Sequence, residues 1–243
     1  MNIRSDEARV PTARWGAFES IFGLLCAVIS MWLLVRWLTS PGYHDGHLAL
    51  ILSYAVVWLP LLAATIVACY VTGTRSLGQD LGLRVTWLDA LFGLGIGLLA
   101  RAAASVIEIA FYGRMTGLGV TFGDVIYDGW WVFGAVLAPI FFAPFIEEVF
   151  FRGLVLRTAL RISSRSMTRA VAMSISVLAS AVLFAALHLT EVTSPTAAAA
   201  IGSSTLIFGI ASGVLAAITG RTGGSIIAHV TFNGSLVLAA LLA

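Results

Sequence analysis

The chain contains seven apolar segments, and each is close to the roughly 20 residues that an α-helix needs to cross the hydrocarbon core of a bilayer. They cover residues 16–38, 48–72, 87–112, 130–156, 171–189, 196–219 and 225–242. Only 11% of the 243 residues are charged, whereas soluble domains carry about 25%. The sequence therefore predicts an all-α fold, a polytopic integral membrane helical bundle with about seven transmembrane helices in a single domain over residues 1–243. Small residues at helical spacing in 93–97 and 209–213 predict close contacts between helices.

The basic residues predict how this bundle is oriented. All fourteen are arginines, and they concentrate in alternate loops and in the N-terminal tail, at Arg4, Arg9 and Arg14. Because cytoplasmic loops carry an excess of basic residues, we expect a multi-pass protein of the cell membrane, of the bacterial inner or plasma membrane type, with a cytoplasmic N-terminus. Arginines that follow the membrane-flanking loops give no reason to expect a nucleic-acid partner. Those on a polar stripe in 157–169 favour an additional interfacial helix.

The stretch FAPFIEEVFFRG, residues 142–153, places three charged side chains in an otherwise apolar segment. Each ionised side chain costs at least about 2.5–3.5 kcal/mol in the centre of a membrane helix. Because residues four apart share a helix face and adjacent residues do not, we expect Glu148 to pair with Arg152, while Glu147 needs a partner elsewhere. The pair can be a structural ion cluster, but an intramembrane carboxylate such as Glu147 is typical of a functional site.

Three polar groups in later apolar segments are candidate partners for Glu147, namely His188, His229 and Asn233. A single intramembrane His or Asn often serves only as a hydrogen-bonding group between helices, yet a carboxylate, two imidazoles and an amide on three helices favour a shared site. Glu147 can act as a general base toward water while imidazole and amide donors stabilise an oxyanion. Alternatively, Glu147, His188 and His229 can bind a divalent metal, with zinc favoured, which activates its bound water. Both routes lead to hydrolysis of an acyl bond.

In order and spacing, these residues resemble the three motifs of the CPBP family of intramembrane proteases, also called the ABI family. That family includes type II CAAX prenyl endopeptidases and relatives linked to bacteriocin processing or self-immunity. The motifs EExxxR, FxxxH and HxxxN correspond here to Glu147-Glu148-xxx-Arg152, Phe184-xxx-His188 and His229-xxx-Asn233. The resemblance implies a catalytic core of about residues 130–243, and the first three apolar segments lie outside it.

The resemblance also implies a role for each motif residue. Glu147 activates the water with help from His188, whereas His229 and Asn233 bind the oxyanion or position the substrate carbonyl. The supporting residues are Glu148 and Arg152, which orient the first motif, and Phe184, which packs under His188. Members of the family are conventionally called metalloproteases, which implies a zinc held by Glu147, His188 and His229, but a metal-free glutamate mechanism is equally compatible with the residues.

Simple end-to-end spans would separate the two imidazoles in depth, because His188 ends the fifth segment while His229 lies near the start of the seventh. For the two to meet, we expect the fourth and fifth helices to extend through the arginine-rich stretch. Helices five to seven can also be staggered, and the segment after Leu189 can dip back into the membrane.

Two other functions are compatible with the same residues. A proton-coupled transporter can use a carboxylate and imidazoles as a relay, although transporters usually contain repeats with matching broken helices, and no such repeat is visible here. A catalytically silent scaffold or bacteriocin-immunity protein needs the fold without turnover. The intact motifs favour an intramembrane endopeptidase, whose expected partners are the lipid bilayer and a peptide or membrane-protein substrate.

Overall fold

The computed structural model describes residues 15–42, 45–115, 128–190 and 192–242. It is 84% helical, and no strand occurs in the described residues. The helices of this part of the chain are α1 Ala17–Leu38, α2 Gly46–Thr72, α3 Leu77–Asp80, α4 Trp87–Tyr112, α5 Gly129–Ser163, α6 Arg169–His188, α7 Pro195–Thr219 and α8 Gly223–Leu242. Six of them are long and apolar enough to cross a membrane, and α8 is a shorter apolar helix. The predicted all-α polytopic bundle is confirmed.

Helix α5 is 35 residues long and includes the arginine-rich stretch as far as Ser163. Neither glycine nor proline occurs between residues 154 and 163, so nothing in the sequence ends the helix there. At 1.5 Å per residue it measures about 52 Å, which exceeds the roughly 30 Å of the hydrocarbon core. The additional interfacial helix predicted for 157–169 is therefore wrong, because its first half continues α5 and its end forms the turn before α6.

The helices begin at different levels along α5. Helix α6 begins beside the end of α5, where Ser163 Oγ lies 3.2 Å from Ser176 Oγ. The turn before α8 lies about six residues earlier along α5, because Arg157 Nη1 donates to the carbonyl of Gly220 at 3.0 Å. Six residues correspond to about 9 Å of helix. Helices α6 and α8 run in the same direction, and α8 begins about 9 Å further along the bundle than α6. His229, near the start of α8, therefore lies close to the depth of His188 at the end of α6, as the predicted extension and stagger require.

Small residues allow the helices around the site to approach closely. An added Cβ on Gly97 of α4 would lie 2.5 Å from the carbonyl oxygen of Ala228 in α8, and one on Gly209 of α7 would lie 3.1 Å from the Cα of Ala181 in α6. No real side chain tolerates the first of these distances, so glycine is required where α4 crosses α8. The predicted close helix contacts are thus present at both positions.

Large apolar side chains cover the outside of the bundle. Phe18 and Leu99 are each 72% exposed, which suits contact with lipid chains and is rare on a soluble monomer. The three arginines of the N-terminal tail lie outside the described residues, so the cytoplasmic location of the N-terminus stays a prediction.

Candidate active site

The two adjacent glutamates of α5 lie in different surroundings. The side chain of Glu148 is fully buried, whereas that of Glu147 is 12% exposed. The helix turns after them, Val149–Val155, have the i→i−5 hydrogen bonding of a π-helix, which is frequent at functional sites. The two carboxylates therefore differ in burial, since Glu148 lies inside the packing and Glu147 keeps a small exposed surface.

Arg152 is the counter-ion of Glu148. Its Nη1 lies 3.0 Å from Oε1 of Glu148, and both side chains have no exposed surface. Its Nη2 donates to Ser212 Oγ at 2.6 Å, and the guanidinium lies 4.5 Å from the centroid of the Phe184 ring. The predicted pair along α5 is observed, and its contacts attach α5 to α6 and α7.

His229 lies between the two glutamates. Its Nδ1 is 3.0 Å from Oε1 of Glu148, and its Nε2 is 3.9 Å from Oε2 of Glu147. Because the carboxylate of Glu148 is paired with Arg152, it is an acceptor, so Nδ1 of His229 donates to it. This contact, which sequence analysis missed, fixes the ring and turns Nε2 toward Glu147.

His188 has the same arrangement with a different acceptor. Its Nδ1 lies 2.9 Å from the carbonyl oxygen of Phe184, and since a carbonyl can only accept, Nδ1 carries the proton. Its Nε2 lies 3.8 Å from Oε2 of Glu147. The Phe184 ring packs against the imidazole, as expected, with centroids 4.5 Å apart.

The Nε2 atoms of both imidazoles thus face one oxygen, Oε2 of Glu147. Distances of 3.8 and 3.9 Å are too long for direct hydrogen bonds. A water oxygen can lie about 2.8 Å from each of two atoms with this separation. Each imidazole is therefore at a distance from Glu147 that one bridging water molecule can span.

The same three groups are the predicted metal ligands. Zinc binds nitrogen and oxygen at about 2.0–2.2 Å, so tetrahedral ligand atoms lie about 3.4 Å apart. The separations of 3.8 and 3.9 Å are wider, and among the described residues no group of three or more His, Cys, Asp or Glu side chains is arranged to hold a metal ion. The donor types suit zinc, but the ligand atoms are further apart in this structure than direct coordination of one zinc ion requires.

Asn233 completes an irregular part of α5. Its Nδ2 donates to the carbonyl oxygen of Pro139 at 2.7 Å. In the π-helical turns around Pro139, the N–H of Ala143 bonds to Ala138, five residues earlier. The next donor in this pattern would be Pro144, which has no N–H. The Pro139 carbonyl thus lacks a backbone donor from Pro144, and the Asn233 side chain donates to it instead. The second hydrogen on Nδ2 of Asn233 can bond to another acceptor.

A cavity of about 450 Å³ has His188, His229 and Asn233 in its wall, whereas Glu147 lies behind the imidazoles and is not one of its lining residues. Ligand pockets usually have volumes of about 300–1,000 Å³. Most of the other lining residues are apolar, among them Phe184, Phe208 and Phe232. The cavity can therefore accept an apolar segment of chain beside the imidazoles and the amide.

Helix α4 contributes an ion pair to this cavity that sequence analysis missed. Arg101 Nη2 pairs with Glu108 Oε1, and both residues line the cavity. Glu108 is only 2% exposed, and the Arg101 guanidinium lies 5.4 Å from the centroid of Phe232. Ionisable residues seven apart share a helix face, and inside a membrane helix they indicate function by default. Two ionisable residues seven apart in an apolar segment are the sequence signal from which this pair could have been predicted.

Comparison with known proteins gives one match. Residues 129–235 match the family model described as type II CAAX prenyl endopeptidase, Rce1-like, while no curated protein and no solved structure matches the chain. The matched segment is less than half of the chain, contains Glu147, His188, His229 and Asn233, and does not reach α1–α4. It supports a CAAX-type intramembrane endopeptidase in general terms. The match confirms the resemblance found in the motifs, and the similarity of residues 129–235 to the Rce1-like model supports a CPBP family intramembrane protease.

Proposed function

We propose that the protein hydrolyses a peptide bond in or near the membrane, with Glu147 taking a proton from a water molecule held between its carboxylate and the two imidazoles. The observation that carries this proposal is the approach of both Nε2 atoms to Oε2 of Glu147, at 3.8 and 3.9 Å. The water oxygen attacks the peptide carbonyl carbon as its proton passes to Glu147. The same proton is then available for the leaving amine.

The distribution of charge supports Glu147 as the base. Glu148 and Arg152 neutralise each other, so Glu147 leaves the cluster with one negative charge when both imidazoles are neutral. A proton on one imidazole balances the cluster, and an uncompensated buried charge is costly. On His229 this proton makes Nε2 a donor toward an oxyanion, while Nδ1 still donates to Glu148. The second hydrogen of the Asn233 amide supplies another donor.

The cavity supports a peptide or membrane-protein substrate. Its mostly apolar wall suits a chain that enters from the bilayer, and the Arg101–Glu108 pair gives it a polar side. We assign the protein to the cell membrane as a multi-pass protein, with the N-terminus in the cytoplasm because of the arginine distribution. A zinc-dependent variant of the reaction would use the same three groups, and chelation of zinc distinguishes it from the metal-free reaction.

The test compares wild type with Glu147→Gln, which keeps the shape of the side chain but removes the proton acceptor. Peptides released from membranes of cells that express each form identify a substrate, whose turnover is then measured with purified protein in liposomes. We expect turnover to fall by about 10²–10⁴-fold, as is typical when acid–base catalysis is lost, with the melting temperature unchanged.

The matched control is Glu19→Gln, because Glu19 is another buried intramembrane carboxylate, located on α1, that accepts a hydrogen bond from Thr72. It should keep full turnover. Equal turnover by Glu147→Gln and wild type would contradict the mechanism. If cells with wild type and cells with Glu147→Gln release the same peptides, the proposed protease function is wrong. A measurement of proton flux across the liposome membrane then distinguishes a transporter from a scaffold.

A further inference from the structure

A second cavity, of about 270 Å³, lies at the arginine-rich end of the bundle, where α5 meets α7 and the turn before α8. It shares no lining residue with the active-site cavity. Four of its lining residues are arginines, which are Arg152, Arg157, Arg161 and Arg221. A concave surface with this many guanidinium groups is a candidate site for an anion.

The arginines of this cavity differ in the partners that the described residues give them. Arg221 has a carboxylate partner, Asp89, at 2.8 and 3.0 Å. Arg157 instead donates to the backbone carbonyls of Gly220 and Gln79, and none of the ion pairs found in the described part of the chain involves it. Asp80 acts electrostatically on both Arg157 and Arg161. Arg157 therefore has a positive charge at this end of α5 that no carboxylate of the described residues pairs with directly.

The inner part of the cavity contains a buried donor without a partner. Arg152 has no exposed surface, and its Nε makes no hydrogen bond in the structure. A buried donor that lacks a partner costs free energy, more so on a charged group. Since Arg152 lines the cavity, an oxygen atom of an occupant, either a water or an anion, can satisfy this donor.

The level of the cavity relative to the bilayer indicates the source of the anion. Arg157 and Arg161 lie in the last eight residues of α5, Leu156–Ser163, which extend beyond the length needed to cross the hydrocarbon core. These turns therefore lie among the lipid headgroups. Guanidinium groups match phosphate oxygens in geometry and charge, and basic pockets between membrane helices bind anionic headgroups.

We propose that this cavity binds the phosphate group of an anionic lipid, with Arg157 and Arg161 as its principal donors and the buried Arg152 in its wall. The site is separate from the proposed hydrolysis and does not depend on it. A free phosphate ion has the same chemistry, so the experiment includes it as a separate arm.

The test measures melting temperature of the full chain in detergent, with a thiol-reactive dye that reports exposure of the buried Cys69. Phosphatidylglycerol, phosphatidylcholine and inorganic phosphate are added in separate titrations. We expect phosphatidylglycerol to raise the melting temperature by about 5–10 °C at a hundredfold excess over Kd, and phosphatidylcholine to leave it unchanged. An equal rise with inorganic phosphate alone would overturn the lipid assignment in favour of free phosphate, and an equal rise with phosphatidylcholine would overturn the anionic site.

Variants locate the effect. Arg157→Gln and Arg161→Gln should lose most of the lipid-dependent rise, whereas Arg36→Gln, an exposed arginine in the last turn of α1, should keep it. Ala217→Trp fills the cavity without removing a charge, so it tests the site if the arginine variants fold poorly. A full lipid-dependent rise in Ala217→Trp, or in both arginine variants, would refute the proposal.

Discussion

Breaking the buried pair between Glu148 and Arg152 should destabilise the protein strongly. Arg152→Met keeps a long apolar side chain but removes the counter-ion of Glu148 and the hydrogen bond to Ser212. Removal of one partner from a fully buried pair costs about 3–5 kcal/mol. For a chain of this length, each kcal/mol changes the melting temperature by about 2–4 °C. We therefore expect Arg152→Met to melt about 6–20 °C below wild type.

The reverse change, Glu148→Gln, separates support of the ion pair from support of His229. Its amide oxygen can still accept from Nδ1 of His229, but Arg152 then lacks its counter-charge. We expect a loss of stability similar to that of Arg152→Met, accompanied by a lower rate. If the two residues act as one pair, the double variant should cost less than the two single costs added together, with a coupling of about 0.5–3 kcal/mol.

Thermal unfolding in detergent, followed by dye reaction at Cys69, gives the four melting temperatures of this cycle, with Arg36→Gln as a control that should melt like wild type. The reasoning fails if Arg152→Met melts within about 2 °C of wild type. It also fails if the double variant shows simple addition of the single costs, since independent contributions would mean that the pair is not a unit.

Three further predictions concern packing, the amide and the metal. Gly97→Ala should lower the melting temperature, because its Cβ would lie 2.5 Å from a carbonyl oxygen of α8 and such overpacking costs about 1–3 kcal/mol of stability. An added Cβ on Gly95 would have no atom within 4 Å, so Gly95→Ala should melt at or above the temperature of wild type. The reverse order would contradict the packing. Asn233→Asp should be less stable than Asn233→Ala, because a carboxylate would meet the Pro139 carbonyl that now accepts at 2.7 Å, and equal melting temperatures would argue against that bond. Exhaustive chelation of zinc should leave both the melting temperature and the turnover unchanged, and loss of either that zinc restores would establish a metal-dependent enzyme.

The sequence predicted the bundle more completely than it predicted the helix ends. Apolar length alone identified the spans, because it depends on bilayer thickness and not on tertiary packing. It placed the end of the fourth span at residue 156, whereas α5 continues to Ser163. Hydrophobicity cannot separate a helix that leaves the membrane from one that ends there, since both show the same change from apolar to charged residues.

At the candidate site, spacing identified the residues but not the contacts that orient them. Helix periodicity correctly paired Glu148 with Arg152 because both lie on α5. It could not predict that Nδ1 of His229 would reach Glu148 from α8, since the distance along the chain gives no information about contacts between helices. The Arg101–Glu108 pair was not predicted for another reason: both residues lie on α4, outside the segment with the three motifs, and a seven-residue spacing alone does not indicate a site.

Burial of a carboxylate is not by itself evidence of catalysis, and α1 provides the comparison within this chain. Glu19 is 6% exposed, and among the described residues it accepts a hydrogen bond from Thr72 at 3.0 Å, while its other oxygen has no partner there. By burial alone it would rank with Glu147. What distinguishes Glu147 is that two imidazoles, each oriented through Nδ1 by a separate acceptor, direct Nε2 toward the same oxygen. Two imidazoles thus lie within reach of a bridging water beside Glu147, and no ion-pair contact with a histidine is found for Glu19 in the described part of the chain. The proposed mechanism therefore depends on the orientation of His188 and His229, and a variant that turns either ring should lose activity even where Glu147 stays in place.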